Sequence, residues 1–316
     1  MEILQPQTTA RLLDRTVEVF RNNFLLFAGM CLPAGIGALA LGLLLNAVNI
    51  GPWTNNPIVR IGFALLHITV YATACGLASG ATALAISPER PGQSMGIAGS
   101  YLKLRSHARR VMGILGLVAF RMMAIAFAAF LLPLLALGLL ATKTTLLRGG
   151  SDSGLLAAIG FTFLLAIISG IIWMLHVYAR TSFAVPCCVL ESTGIRNSLR
   201  RSRTLTKPGV RRVWAVFLCS GLLYLTLKGV TGIPLWVDRG LWKHHQQIAA
   251  DLLSAFVAVL VSAPITIIAT VLLYYDQRIR KEAFDLEVLI ADAESTLPKE
   301  TTRPSASVSM NSPDLA

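Results

Sequence analysis

Six long apolar stretches set the pattern of the chain, at 24–48, 61–86, 111–141, 155–185, 213–235 and 252–275, and none of them contains an Asp or Glu. A helix needs about 20 mostly apolar residues to cross hydrocarbon about 30 Å thick, so each stretch predicts a transmembrane helix. A second, amphipathic pattern lies between them. Leu13, Val17, Phe20 and Phe24 recur at helical spacing, with Arg11, Asp14, Arg15, Glu18 and Arg21 on the other faces. Ile97, Tyr101, Leu104 and Val111 repeat that spacing, leaving Lys103, Arg105, Arg109 and Arg110 polar. Ile195 and Leu199 begin a third stripe, which Ser192 or Thr193 can cap and which Lys207-Pro208-Gly209 ends. Ile279, Ala283, Leu286 and Ile290 predict a closing helix at the same offsets.

The expected fold is an all-α polytopic membrane protein with six transmembrane helices. Three repeats are expected, each an amphipathic interfacial helix followed by a two-span hairpin, over about 8–87, 94–190 and 194–290 of a single membrane domain (1–294) with a C-terminal amphipathic helix. The competing explanation is that basic connecting loops alone produce the alternation, but loop charge does not demand shared apolar offsets. The remainder, 295–316, is rich in Ser, Thr and Pro and reads as a disordered cytoplasmic tail.

Composition agrees with an integral membrane protein: 54% of the 316 residues are apolar, 14% are charged and the mean hydropathy is +0.65, which excludes a disordered chain. Five cysteines without a CxxC pair exclude a disulfide framework and a zinc ribbon. The net charge of +12 is strongly sided: 20 of the 28 Lys and Arg residues fall in the N-terminal segment, 87–110, 186–212 and the segment after Tyr275, and five in the three intervening connections. By the positive-inside rule both termini face the cytoplasm, in the cytoplasmic membrane. Trp53, Trp236 and Trp242 then belong to the outer aromatic belt, and Trp214, Tyr274 and Tyr275 to the inner one. No small-residue cleavage site follows a short apolar core, so no cleaved signal peptide is expected. The basic helices are expected to lie among anionic headgroups. Charge divided among loops beside membrane spans argues against nucleic acid as the partner.

Charges within spans are costly and therefore candidates for function. Arg121 and Arg180 share an expected depth, where they either snorkel to the interface or turn inward as a positive pocket for phosphate or carboxylate. With Arg105, Arg109, Arg110, Arg200, Arg201, Arg203, Arg211 and Arg212 they form the candidate anion-binding set. His67 and His176 lack a partner at i+3 or i+4, and His244-His245 cannot face one way on a helix, so no metal or cofactor site is read. Lys228 reads as an interface anchor. Cys31, Cys75 and Cys219 read as small apolar residues, and Cys187-Cys188 sit where palmitoylation is conceivable. Gly76 and Gly80 form a GxxxG pair, read first as internal packing and second as a homo-oligomer seam. There is no HExxH, GxSxG, P-loop or intramembrane carboxylate pair, and Ser79 has no assignable base. No catalytic residue is expected.

The run Tyr178-x-Arg180, Pro186, Glu191, Ser198-Leu-Arg-Arg-Ser202-Arg-x-Leu205-Thr and Trp214 resembles bacterial and archaeal multispan proteins of the glycerophosphoryl diester phosphodiesterase membrane-domain-like group. The closing Tyr274-Tyr-Asp276-x-Arg278-x-Arg280-Lys-Glu282-x-x-Asp285-Leu-Glu287 and the opening Leu13-Asp-Arg-Thr-x-Glu-Val-Phe-Arg21-x-Asn-Phe24 are similar to that group's ends. The likeness covers roughly 10–35 and 175–290. Where a phosphodiesterase is fused to such proteins, catalysis resides in a separate soluble barrel, for which this sequence leaves no room, so the resemblance implies no enzyme activity. The expectation is a noncatalytic protein whose basic helices bind anionic phospholipid and organise the membrane or a partner protein. The alternative is a transporter or lipid translocator with an arginine-lined pocket. Asp276, Glu282, Asp285 and Glu287 are expected to pair with arginines of the third connecting segment.

Overall fold

The computed structural model describes residues 8–50, 57–87, 96–148, 153–237 and 244–282. Among the described residues there is no strand. The order is α1 (Thr9–Asn22), α2 (Phe24–Ile50), α3 (Pro57–Ile86), α4 (Ile97–Arg105), α5 (Ala108–Arg148), α6 (Ser153–Thr181), α7 (Ala184–Leu190), α8 (Ile195–Thr206), a 3-10 turn at Lys207–Gly209, α9 (Val210–Val237) and α10 (His244–Glu282). Six of these helices, α2, α3, α5, α6, α9 and α10, are long and apolar enough to cross a membrane. The protein is therefore an all-α, multi-pass membrane protein. At 41 and 39 residues, α5 and α10 outrun the bilayer, each being about 60 Å long. The closing helix is not separate in its first turn, because α10 continues unbroken past Tyr275 and buries Ile279. Ala283, Leu286, Ile290 and the 295–316 segment lie outside the described residues.

Three hairpins bring the starts of α2, α5 and α9 and the ends of α3, α6 and α10 to one end of the bundle, where α1, α4, α7 and α8 also lie. Each junction has a local cause. The Thr8 hydroxyl accepts the Arg11 N–H at the head of α1, and Asn23 interrupts the path into α2. Ser106-His107 separates α4 from α5, with the Ser106 hydroxyl 2.8 Å from both the Lys103 carbonyl and His107 Nδ1. The expected side-chain cap on α8 is absent: Gly194 is the N-cap, and Thr193 instead joins the Cys187 carbonyl and the Ser198 hydroxyl.

The main core sits at this basic end, where every helix meets. Phe27 and Met30 of α2, Leu104 of α4, Val111 and Ile114 of α5, and Leu199 and Leu205 of α8 close around the last turns of α10. Tyr274 and Tyr275 belong to that core, with ring contacts to Phe183 and to each other, and do not form the inner aromatic belt expected of them. Length and aromaticity could not distinguish a headgroup from a protein interior built just beneath it. Trp53, Trp242 and the side chain of Trp236 lie outside the described residues.

The surface helices bury part of the expected apolar stripe, at Phe20, Leu104, Val111 and Leu199, together with small hydroxyl residues beside it. In α1 the buried residues are Leu12, Thr16 and Phe20, while Val17 and Phe24 remain exposed. In α4 they are Ser100 and Leu104, and in α8 Ser198, Leu199, Ser202, Leu205 and Thr206. Counted from Leu13, Ile97 and Ile195, the third residue on is Thr16, Ser100 or Ser198, each fully buried. Small hydroxyl residues permit close helix approach, as in membrane helix packing generally. α4 lies on α2 and α3, α8 on α5, α6, α7 and α10, and α1 on α10. Two contacts correspond. A Cβ on Gly29, the sixth residue of α2, would come 2.5 Å from Ile97 Cδ1; one on Gly113, the sixth residue of α5, would come 2.5 Å from Ile195 Cδ1. Gly76 faces Leu115 and Gly80 faces Leu104, so this pair serves internal packing and is not open as a seam between copies.

Candidate anion site

Helix α8 carries the largest share of the basic end's charge, and two contacts fix its position. The Ser202 hydroxyl donates to the Arg180 carbonyl at 2.9 Å, pinning α8 to the end of α6, and Ile195 seats its first turn on Gly113 of α5. Residues two apart on a helix point about 200° apart. Arg201 and Arg203 therefore face different neighbours.

Arg201 enters an acid network. Its Nε donates to Glu191 Oε2 at 3.0 Å and its Nη2 to Glu282 Oε2 at 2.7 Å. Glu191 also accepts the Tyr274 hydroxyl at 2.8 Å, and Arg278 lies between the carboxylates, 3.4 Å from Glu282 and 3.9 Å from Glu191. Burial opposes the charge on Arg201, yet Glu191 and Glu282 outweigh it and raise its pKa. One turn away, Asp276, only 4% exposed, accepts Arg212 at 3.0 Å and Arg280 at 2.9 Å. The expected pairing of the last helix with the third basic segment is thus present at Asp276 and Glu282; Asp285 and Glu287 lie outside the described residues. Sequence reasoning assigned Glu191 no partner: Tyr274 and Arg278 are more than 80 positions away, and Arg201, ten positions on, is one of several arginines in the same segment.

Arg203 turns toward Arg121 of α5 and Arg180 of α6. Its pKa is lowered, first by burial and then by the positive charges of those two residues. Arg121 Nη1 and Arg180 Nε are buried and have no hydrogen-bond partner. Among the described residues no carboxylate pairs with any of the three guanidiniums. Arg121 and Arg180 are both half-buried, and the charges of both reach Arg203, which the sequence listed among the candidate arginines without grouping it with these two.

The rest of the candidate set divides similarly. Arg201 and Arg212 are held by acids, and Arg110 Nη1 donates to the Ser192 carbonyl at 3.0 Å, at a residue with a left-handed φ of 52°. Arg105, Arg109, Arg200 and Arg211 are exposed, with guanidiniums unpaired among the described residues. Arg200 and Arg201 border a shallow recess with Asn197 and Thr204; Arg105 edges an apolar groove with Leu77, Tyr101 and Leu102.

Cys187 and Cys188 are fully buried, and the Cys188 thiol contacts the Thr193 carbonyl, so palmitoylation has no open thiol there. Lys228 pairs with Asp251 at 3.5 Å rather than acting only as an interface anchor. His67 Nδ1 is buried without a partner, and His176 lies beside the Trp173 ring. The side chains of His244 and His245 lie outside the described residues, among which no three His, Cys, Asp or Glu side chains gather as metal ligands.

No family model, curated protein or solved structure matches the chain.

Proposed function

We propose that the protein is a noncatalytic component of the cytoplasmic membrane whose basic end faces the cytoplasm and binds anionic phospholipid, organising the membrane or a partner protein there. The observation that carries this reading is the unpaired state, among the described residues, of Arg105 on α4, Arg200 on α8, and Arg109 and Arg211 at the starts of α5 and α9, all at one end of the bundle. Each basic group beside an anionic leaflet adds about 1 kcal/mol of attraction, within a screening length of about 8 Å. The correspondence of Gly29–Ile97 with Gly113–Ile195 supports three related units, each presenting one such helix. The likeness to membrane-domain proteins is also a proposal. Glu191, Tyr274, Asp276, Arg278 and Glu282, which carry much of it, here form ion pairs and hydrogen bonds within the basic end, which supports a shared architecture rather than a shared reaction.

The test is retention of lipid through purification in mild detergent. Anionic phospholipid is expected to co-purify in excess over zwitterionic lipid. Arg105→Gln/Arg109→Gln/Arg200→Gln/Arg211→Gln is expected to lose that enrichment; equal retention of both lipid classes by the unaltered protein counts against the proposal. A reporter inserted after residue 150 is expected on the outer side, and a cytoplasmic signal overturns the orientation. A second reading, anion or lipid translocation, is favoured by the Arg121, Arg180 and Arg203 cluster. It predicts anion flux in proteoliposomes that Arg121→Ala/Arg180→Ala abolishes, and no flux in the unaltered protein removes it.

A further inference from the structure

Three guanidiniums drawn from separate helices, with no acid between them among the described residues, require a counter-charge. Leaving a buried charged donor without an acceptor costs several kcal/mol, so such an arrangement persists where an anion supplies the missing acceptors. Arg121 Nη1 and Arg180 Nε are two such donors, on neighbouring helices, and Arg203 closes the group from an exposed position on α8. The Ser202 bond to the Arg180 backbone holds α8 in place without engaging any of the guanidiniums. Nearby surface is apolar: Phe120 and Met123 flank Arg121, and Trp173 and Tyr178 precede Arg180, all exposed.

We propose that Arg121, Arg180 and Arg203 form a binding site for a phosphomonoester group. Three positive charges favour a phosphomonoester, which carries about −1.5 to −2 at neutral pH, over a singly charged phosphodiester. Guanidinium groups match phosphate oxygens with paired, charge-assisted hydrogen bonds, and the dianion has enough oxygens to serve all three. The same headgroup chemistry occurs on a lipid of the phosphatidic acid type, whose chains would lie along Phe120 and Trp173, and on soluble phosphate reaching Arg203 from the water. This site is separate from the exposed arginines invoked above and does not depend on their binding lipid.

The experiment is thermal unfolding of the full chain in a zwitterionic detergent, titrated separately with phosphatidic acid, phosphatidylglycerol and inorganic phosphate. Phosphatidic acid is expected to raise the midpoint with an apparent affinity at least about tenfold tighter than phosphatidylglycerol, given the second charge. Each of Arg121→Gln, Arg180→Gln and Arg203→Gln is expected to weaken that response about tenfold, and the triple variant to remove it. These variants lose like-charge repulsion and so are expected to fold, which their unliganded midpoints verify. A response to inorganic phosphate equal to that of phosphatidic acid supports the site and assigns it to a soluble ligand; a response to the lipid alone supports it and assigns it to the membrane. Equal responses to the two lipids, no response to any of the three, or a full response in the triple variant overturns the proposal. The surface variant Arg105→Gln/Arg109→Gln/Arg200→Gln/Arg211→Gln separates the two proposals: it is expected to keep the phosphatidic acid response while losing bulk lipid enrichment.

Discussion

Arg201 and Arg203 stand two residues apart on one short helix, yet one meets carboxylates and the other meets arginines. Around Arg201 the charges close within the protein: Glu191, Glu282, Arg278 and the Tyr274 hydroxyl satisfy one another. Around Arg203 they do not, and Arg121 Nη1 and Arg180 Nε are buried without a hydrogen-bond partner among the described residues. A basic residue count treats both sides alike. The difference shows that α8 serves as structure on one face and as a candidate receptor on the other.

Removing an acid from the paired side tests that division most severely. Glu191→Gln is expected to destabilise the protein by about 3 kcal/mol, because it removes the charged acceptor of Arg201 and of the Tyr274 hydroxyl and leaves Glu282 alone to hold Arg201 and Arg278. Thermal unfolding in detergent reads the loss. A midpoint within a degree of the unaltered protein would mean that the network adds nothing to the fold, and the two faces of α8 would no longer differ.

The seat of α8 is the next largest effect. Gly113→Ala forces a Cβ against Ile195 Cδ1, and overpacking of this kind costs about 1–3 kcal/mol. Ile195→Val removes the colliding methyl, so the double variant is expected to recover much of the loss. Gly29→Ala with Ile97→Val is expected to behave in parallel, since the contact is the same. Recovery in one pair but not the other would break the correspondence between the two units.

Substituting the two arginines themselves sharpens the comparison directly. Arg201→Gln is expected to lower stability by about 2 kcal/mol, as charged hydrogen bonds are lost from both carboxylates. Arg203→Gln, without added phosphate, is expected to raise stability by about 1 kcal/mol or less, because it removes a like charge at an exposed position. Added salt should shrink the second effect more than the first. The same sign for both variants contradicts the contrast.

How much of this could be read from the sequence depends on distance along the chain. Period and length were sufficient for the six spans, and the sided basic residues for the common end at which α1, α4 and α8 gather. Arg121 and Arg180 were visible because charge within an apolar stretch is rare. Arg203 was visible only as one of several surface arginines, since its grouping with those two depends on helices 82 and 23 positions earlier. The contrast between α6 and α10 was also hidden. Both are apolar on every side, but α10 is mostly buried at the centre and α6 is mostly exposed from Gly160 to Tyr178. Hydropathy measures removal from water and is blind to whether lipid or protein takes its place. The buried hydroxyl faces of α1, α4 and α8 were missed for a related reason: Thr16, Ser100 and Ser198 read as polar when they pack as small residues.

Helix α4 offers the mildest test, because it is tied down without charge. The Tyr101 hydroxyl donates to the Met30 carbonyl of α2 at 2.6 Å, beside the position where Pro33 deprives the α2 ladder of an N–H. Tyr101→Phe is expected to cost about 1 kcal/mol at neutral pH, the usual net value of one hydrogen bond. Burial, and then the thiols of Cys31 and Cys75, push the Tyr101 pKa up to about 12. The folded state therefore holds the phenolic proton after the unfolded chain, with an ordinary value of about 10, has released it. The stability contributed by neutral Tyr101 is fully present below pH 10 and is lost as the pH rises toward 12. Melts of the unaltered protein and Tyr101→Phe should consequently converge between pH 10 and 12. If their separation stays constant across that range, the hydroxyl does not sit in the enclosed position that joins α4 to α2, and the neutral attachment of α4 is no counterpart to the charged one of α8.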